Sequence, residues 1–540
     1  MSQKWIRNPP TLAHTIPSPG ELSRQSIGFL SPIRFSCFRA NCQRQPTQME
    51  CDASQATKKN PFSGFLESSK KVFEADDLGR EIAAVALPAL LGLAADPLAS
   101  LVDTAFIGQI GSVELAAVGV SISVFNLISK IFNIPLLNIT TSYVAEDNVA
   151  GCGFEEGIPL TEAAEEGHFI EKPGKSEKRV YPSVSSALFL GSSLGIIEAL
   201  VLLLGAWPIL RIMGILDDSP MRLPAQQYLS IRALGAPAVV VSLATQGVFR
   251  GFKDTKTPLY ATVTGNIVNV VLDPILMFSF GYGVTGAAVA TVVSQYVIAF
   301  ILLVKLNEVA VLIPPDISRL GLRRFFSSGG LLFTRTIAIL LTMTLATSMA
   351  AQEGVAPMAA HQICMQIWLA ASLLSDSLAL AGQAVIADFV ARNNGQKVKE
   401  ATFRVLQLGI VFGLIMGVIL GLGGQRFSKL FTSDDLVIQA LITIIPFAVL
   451  TQPINSMAFV FDGIFYGATD FAFAAYSMIV IGIISSAVLF AAPSFLGLPG
   501  VWLGLTVLMS LRMASGILRL GTATGPWQFL ANESLEIDNS

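Results

Sequence analysis

The amino-acid sequence predicts an all-α polytopic membrane protein, with twelve transmembrane helices in two six-helix bundles related by an internal repeat. Of its 540 residues, 52% are hydrophobic and only 14% are charged, and the mean hydropathy is +0.62. A soluble domain carries about 25% charged residues, so most of this chain has too few charges for a surface that faces water. Two further observations carry the prediction: apolar runs follow one another along the chain, and motifs of the first half recur in the second.

Each apolar run is about 20 residues or longer, the length that a helix needs to cross a bilayer. Several exceed that minimum, as tilted or bent helices do, and Pro97, Pro135, Pro237 and Pro453 are candidate kinks. The twelve predicted spans are 82–107, 116–145, 183–213, 228–250, 257–282, 284–304, 331–352, 359–390, 403–424, 436–462, 471–491 and 500–520.

These spans divide the chain into an N-terminal bundle, 81–305, and a C-terminal bundle, 331–520, joined by an interbundle linker, 306–330. A tail follows at 521–540, and an acidic, Gly- and Pro-containing loop at 146–182 interrupts the first bundle. We expect this loop to be a solvated linker, since no chemistry is evident in its composition.

The leader, residues 1–75, has the composition of an organellar transit peptide. Residues 1–49 contain six basic residues and a single acid, Glu21, with Ser and Pro throughout, and lack the apolar core of a secretory signal. The alternative is a disordered cytoplasmic tail. If the leader is a transit peptide, we expect the protein in a chloroplast membrane, with the envelope as the first candidate.

Lys and Arg are distributed unevenly between the two sides of the predicted membrane domain. Three lie in loops on the far side: Arg222, Arg426 and Lys429. Fourteen lie in loops on the side of the N-terminus: Lys172, Lys175, Lys178, Arg179, Arg250, Lys253, Lys256, Lys305, Arg319, Arg323, Arg324, Arg392, Lys397 and Lys399. The positive-inside rule therefore places both termini in the cytosol, or in the stroma if the leader is a transit peptide.

Three motifs of the first half recur in order in the second. Gly111, Ala116 and Ala117 match Gly354, Ala359 and Ala360 at an offset of 243 residues. The motif Phe-x-Gly-x-x-Asp recurs at 249–254 and 465–470, an offset of 216, and Gly-x-x-Gly recurs at 283–286 and 497–500. The offset falls because loop 146–182 has only a short counterpart. Six crossings per repeat give both halves the same orientation, an arrangement that many secondary transporters use.

Composition excludes several classes of function. The net charge of −3 argues against a nucleic-acid partner, which would need a basic patch. The five Cys and three His show no zinc-ligand spacing, so we expect no metal site and no cofactor. An intramembrane enzyme would need a buried His pair, a Ser/Lys dyad or a ligand cluster, and none is evident.

Ionisable residues inside the apolar runs are the candidate functional residues, because their burial in lipid is costly. Asp96 and Asp103 are seven residues apart on one face of the first helix, and Asn269 and Asp273 are four apart in the fifth. Thr291 follows in the sixth helix, one turn after Ala287. Two carboxylates with amide and hydroxyl oxygens suit a proton or a small hard cation. The alternative is that Asp103 or Asp273 stabilises a kinked helix through hydrogen bonds.

A second group of polar residues is a candidate for substrate binding. Asn126 and Lys130 lie on one stripe of the second helix, and Lys130 either binds substrate or neutralises Asp103. Arg335 lies roughly 16 Å along a helix from Arg324; it either snorkels to the basic side, binds an anionic ligand, or pairs with Asp376 or Asp462. Gln362 shares a helix face with Gln366 and either lines a cavity or joins helices through hydrogen bonds.

Four segments resemble the multidrug and toxic compound extrusion (MATE) transporters: 101–108 (LVDTAFIG), 111–117 (GSVELAA), 250–258 (RGFKDTKTP) and 265–274 (GNIVNVVLDP). The resemblance covers roughly 81–520. With the Arg-rich leader and the acidic loop, the chain is most similar to the chloroplast-targeted branch of the plant DETOXIFICATION proteins, akin to their citrate-exporting subgroup.

The resemblance implies two six-helix bundles that form a V, and cation-coupled antiport. It also implies that a cation-coupling site lies at Asp103, Asn269, Asp273, Ala287 and Thr291. The second half departs from the family pattern. Where many members have a Glu in the seventh helix and an Asp in the tenth, this chain has residues 332–336 (LFTRT) and Asn455. A C-terminal carboxylate site is therefore not expected, and Arg335 favours an organic anion over an organic cation.

The leading hypothesis is a monomeric antiporter that uses H⁺ or Na⁺ to export an organic anion such as citrate by alternating access. Its expected partners are the lipid bilayer and a small-molecule substrate, bound by Arg335, Lys130, Asn126 and Gln362. Two alternatives stay open: a general efflux antiporter for drugs, organic cations or secondary metabolites, and a flippase for a lipid-linked substrate.

Overall fold

A computed structural model describes residues 76–152, 180–213, 215, 217–312, 321–431 and 434–532. The predicted leader, 1–75, lies outside them, as do most of the acidic loop and parts of the linker and tail. The first half consists of α1 (Asp77–Ile110), α2 (Ser112–Cys152), α3 (Pro182–Ile212), α4 (Arg222–Ala233), α5 (Ala236–Gly251), α6 (Lys256–Pro274) and α7 (Gly283–Val309). A π-helical turn, Ile275–Ser279, extends α6.

The second half begins with a long helix and repeats the same succession. Its helices are α8 (Leu322–Gln352), α9 (Val355–Ala391), α10 (Gly395–Phe431), α11 (Asp435–Leu450), α12 (Gln452–Gly467), α13 (Phe471–Ala491), α14 (Pro493–Leu496), α15 (Leu498–Gly521) and α16 (Phe529–Asn532). A 3₁₀ turn, Gly525–Trp527, precedes α16.

Ten of the described helices are long and apolar enough to cross a membrane, and two further spans are bent pairs, α4 with α5 and α11 with α12. Counting each pair once gives up to twelve crossings, as the sequence predicts. The bends measure 46° and 51°. Pro237 and Pro453 occupy the first turn of the helix after each bend, where a missing N–H costs no helical hydrogen bond. The fold is therefore an all-α polytopic membrane protein.

Several predicted boundaries need correction because helices continue beyond them. α2 runs to Cys152, so the acidic loop does not begin at residue 146; Glu146 is still helical and pairs with Arg324 of α8. α8 begins at Leu322, inside the predicted linker, and Arg324 of its first turn forms that pair. The predicted tail also folds: Trp527 is only 1% exposed and its Nε1 donates to Asp470 at 3.3 Å.

The internal repeat is visible in the way helices approach one another. A Cβ on Gly251 would lie 2.9 Å from the Thr141 carbonyl oxygen, and one on Gly467 would lie 2.9 Å from that of Gln383. The two glycines are 216 residues apart. Lys253 and Thr469 are separated by the same 216 residues, and both have a positive φ, 59° for Lys253 and 54° for Thr469. Equivalent close contacts at equivalent positions confirm that the two halves share one architecture.

Apolar side chains are exposed along the outer helices, as expected of surfaces that face lipid. Leu204 of α3 and Phe495 of α14 are 83% and 86% exposed. The largest buried apolar cluster contains residues of both halves, among them Ile139 and Val240 from the first and Val385 and Phe461 from the second. One end of the molecule is therefore a shared core.

Candidate functional site

Two carboxyl groups from different helices face each other in the first half. Asp103 of α1 and Asp273 of α6 are close enough to share a hydrogen bond. Asp273 is fully buried, and no N–H or O–H group of the described residues donates to either of its oxygens or to Oδ1 of Asp103. Two adjacent carboxylates repel strongly away from water, so a proton or a cation between them removes an electrostatic penalty.

The remaining residues of the predicted coupling group lie on α6 and α7. Asn269 lies one turn before Asp273, is 4% exposed, and its Nδ2 has no partner in the described chain. On α7 the Thr291 hydroxyl donates to the Ala287 carbonyl oxygen at 2.8 Å. Ala287 is buried in an apolar cluster with Tyr228 of α4. The structure therefore places Asp103, Asn269 and Thr291 in the lining of one cavity, with Asp273 beside Asp103 and Ala287 one turn before Thr291.

A cavity of about 600 Å³ lies beside the carboxyl pair, enclosed by α1, α2, α4, α5, α6 and α7. Asn126, Lys130 and Asn133 line it from α2, as their common stripe predicts. Lys130 is exposed, and the described residues give it no ion pair. The other polar residues that line the cavity are Asp96, Ser100, Asp103, Ser129, Tyr228, Arg232, Ser242, Gln246, Thr262, Asn266, Asn269, Thr291, Ser294 and Gln295.

Arg232 is the lining residue that sequence reasoning missed. It lies at the end of α4, directly before the bend to α5, inside a run that reads as one apolar helix. Its guanidinium stacks over the Phe125 ring at 4.6 Å. With the amide oxygen of Gln295 turned towards it, Nη2 donates to that oxygen at 3.1 Å. The sequence signal that could have identified Arg232 is its spacing from Tyr228, because residues four apart lie on one helix face.

Two more carboxyl groups belong to this region. Asp96, one of the pair predicted on α1, accepts from Asn266 Nδ2 at 3.1 Å. Glu198 of α3, which sequence reasoning did not select, is 1% exposed and accepts a hydrogen bond from the Ser129 hydroxyl. Both carboxyl groups thus have neutral partners.

Arg335 lies away from this cavity, in the second half. Its Nη2 is 2.5 Å from Asp462 Oδ2, and Arg512 pairs with the same carboxylate. The guanidinium also lies 5.3 Å from the Tyr466 ring centre. Of the partners that the sequence offers, Asp462 is the one in contact, and Arg335 and Arg512 share its single negative charge.

Gln362 of α9 is also absent from the cavity lining and is exposed. The structure therefore does not bring the four predicted substrate residues together: Asn126 and Lys130 share the cavity, whereas Arg335 and Gln362 belong to the other half.

On the side of the molecule that carries most Lys and Arg, ion pairs connect the two halves. Lys253, in the loop after α5, reaches Glu81 of α1 and Asp388 of α9, each at 2.6 Å. Asp76, just before α1, pairs with Arg404 of α10 at 2.8 Å. These ion pairs connect helices of the two halves on that side of the molecule.

Asp76 is also the N-cap of α1, accepting from the Gly79 amide at 2.8 Å. Burial alone would raise the pKa of this carboxyl, but the amide hydrogen bond and the Arg404 guanidinium outweigh burial and hold its pKa below the ordinary value. The charged form of Asp76 is therefore the one that the folded state favours.

Known proteins resemble this chain over most of its length. A family model described as MatE matches residues 174–275 and 332–491. Protein DETOXIFICATION 44, chloroplastic, of Arabidopsis thaliana is 52% identical over 454 residues, 84% of each chain. Protein DETOXIFICATION 45, chloroplastic, of the same plant is 48% identical over 456 residues, 84% of this chain and 80% of its own.

The chain belongs to the MATE family. A crystal structure of MATE in the bent conformation superposes with a TM-score of 0.71, at 22% identity, over 87% of this chain and 99% of the other. As a MATE protein the chain is an efflux transporter of small molecules and not an enzyme. The resemblance inferred from its motifs is confirmed.

Proposed function

We propose that this MATE protein is an antiporter that uses a gradient of H⁺ or Na⁺ to export an organic anion such as citrate by alternating access. The observation that carries the proposal is the juxtaposition of Asp103 and Asp273 beside a polar cavity. A site of two facing carboxyl groups gains stability when it takes up a cation, and so it can exchange one between the two access states.

The ligands around the pair supply oxygens for either ion. A proton needs only the two carboxyl groups, whereas Na⁺ needs additional oxygens, which Asn269 and Thr291 offer beside them. Ala287, buried next to this group, leaves room without adding a polar atom. All five residues are assigned to ion coupling.

The charge of Lys130 supports an anionic substrate. It lines the cavity without an ion pair in the described chain, next to Asn126 on the same stripe. A cation in a membrane-embedded cavity is costly unless an anion accompanies it. We assign Arg335 a structural role instead, because it is paired with Asp462. A substrate role for Gln362 stays a prediction.

A general efflux role for organic cations is the second candidate, and a specific observation favours it. Asp96 and Asp103 line the same cavity and would attract a cationic drug. The two candidates differ in the sign of the substrate's charge, which a transport assay measures directly.

For location we propose a chloroplast membrane, in the first place the envelope, with both termini in the stroma. The acid-poor leader, 1–75, supports this, together with two relatives whose names include the word chloroplastic. We expect a monomer, since each half supplies a complete bundle.

The test is uptake of labelled citrate or of the cation tetraethylammonium into proteoliposomes under imposed proton or sodium gradients. We expect citrate transport in the wild type, driven by one of the two gradients. Asp103→Asn and Asp273→Asn should each lose gradient-driven transport while inserting normally, because an amide cannot take up and release a proton. Wild-type rates in both variants would contradict the coupling site, and transport of tetraethylammonium alone would contradict the anion.

A further inference from the structure

The cavity contains two cationic side chains without a carboxylate partner at ion-pair distance among the described residues, Lys130 and Arg232. Three of the four buried arginines in the described chain have such a partner, and the fourth, Arg250, has no carboxylate at ion-pair distance. Arg335 and Arg512 pair with Asp462, and Arg404 pairs with an acid before α1. The cations of the cavity therefore differ from those that hold helices together.

Arg232 is held in place by neutral groups only. Phe125 supports one face of its guanidinium, Gln295 accepts from its Nη atoms, and its buried Nε has no hydrogen-bond partner. Gly235, at the bend between α4 and α5, allows this arrangement, because a Cβ there would collide with the Gln295 amide. The bend thus presents an oriented and incompletely satisfied guanidinium to the cavity.

The nearest carboxyl groups interact with Arg232 only at longer range. Asp96 accepts from an asparagine, Asp103 faces Asp273, and Glu198 accepts from a serine. None of the three carboxyl groups forms an ion pair with Arg232 in the described chain, which leaves the guanidinium available to an anion that enters the cavity.

We propose that Arg232 and Lys130 form a two-point binding site for a small organic anion with two or more carboxylates. Arg232 binds one carboxylate through its planar fork of N–H donors, and Lys130 binds a second as a point charge. The site rests on the proposed function and deepens it, since it defines the class of anion: a monocarboxylate satisfies only one of the two cations.

The experiment measures the KM of citrate, a tricarboxylate, and of lactate, a monocarboxylate, in proteoliposomes, normalised to inserted protein. Arg232→Gln should raise the KM for citrate about tenfold or more, because it removes a charge-assisted bidentate contact. Arg232→Lys should restore part of the loss, and Lys130→Gln should reduce the preference for citrate over lactate. Arg222→Gln is the matched control: Arg222 starts the same helix, its side chain is 43% exposed, and it does not line the cavity.

The melting temperature of each purified variant separates binding from stability. Because Arg232 has no ion-pair partner, we expect Arg232→Gln to melt close to the wild type while its KM rises. A lower melting temperature with an unchanged KM would show a structural arginine and overturn the proposal. If Arg232→Gln fails to insert, Lys130→Gln carries the same test, since Lys130 is exposed to the cavity.

Failure of this site and failure of the proposed function give different results. Citrate transport with the same KM in Arg232→Gln, Lys130→Gln and the wild type would remove the two-point site and leave anion export intact. A wild type that transports tetraethylammonium and neither citrate nor lactate would remove anion export itself.

Discussion

Asp462→Asn should destabilise this transporter much more than Arg335→Gln, although both substitutions break the same ion pair. Asp462 of α12 is the common partner of Arg335 on α8 and Arg512 on α15. The two arginines are 5% and 7% exposed, so neither can turn to water when its partner is removed. The carboxylate therefore balances charge for three helices at once.

The magnitude follows from counting the charges that each substitution leaves unmatched. Removing one partner of a buried pair costs about 3–5 kcal/mol, because an uncompensated charge remains. Asp462→Asn leaves two buried guanidinium groups without their carboxylate, so its cost in stability should lie at the upper end of that range. Arg335→Gln leaves Arg512 and Asp462 as a matched pair, so its cost is that of a lost charge-assisted hydrogen bond, about 1.5–3 kcal/mol.

The assay is thermal unfolding of the purified protein in detergent, together with the amount of protein inserted in membranes. We expect the lowest melting temperature for Asp462→Asn and an intermediate one for Arg335→Gln. The exposed loop residue Asp218 provides the control, Asp218→Asn, which should melt like the wild type. The double variant Arg335→Gln/Asp462→Asn should lose less stability than the sum of the single losses, because only Arg512 is then unmatched.

Two results would refute this reasoning. A wild-type melting temperature for Asp462→Asn would show that the cluster does not need its carboxylate. A strong rise in the KM for citrate in Arg335→Gln at unchanged stability would return Arg335 to the substrate site that the sequence first favoured.

Three further predictions concern the ion pairs between the two halves and the leader. Lys253→Gln should widen the distance between spin labels at the start of α1 and the end of α9, since it removes two ion pairs of 2.6 Å, whereas the exposed Lys256→Gln should not; equal distances would show that these ion pairs do not hold the two helices together. The pKa of Asp76 is lowered in the folded state. Its pairing with Arg404 therefore stabilises the protein at pH values above the ordinary carboxyl pKa of about 3.9, and this stabilisation is lost as the pH falls through the lowered pKa. Asp76→Asn should accordingly melt below the wild type at pH 7, and a gap that persists below both pKa values would contradict the sign. Residues 1–75 fused to a fluorescent protein should enter plastids; plasma-membrane or vacuolar fluorescence would contradict a transit peptide.

The sequence alone determined the class of fold, the number of crossings and the repeat. These properties depend on local composition and on duplicated motifs, both of which are readable along the chain. Pro237 and Pro453 also predicted bends, because the chemistry of a missing N–H does not depend on distant residues. The proposed coupling group was also selected through its motifs; its ion-coupling role stays a prediction, and the structure places Asp103 and Asp273 together.

Only the tertiary structure decided which buried cations are already matched. Arg335 and Arg232 are both single arginines in apolar runs, and their sequence context gives no reason to treat them differently. Arg335 meets a carboxylate 127 residues further along the chain, in α12, whereas Arg232 turns at a helix bend towards an aromatic ring and an amide. Whether a charge is neutralised depends on atoms within a few ångströms, and those atoms come from distant parts of the sequence that only folding brings together.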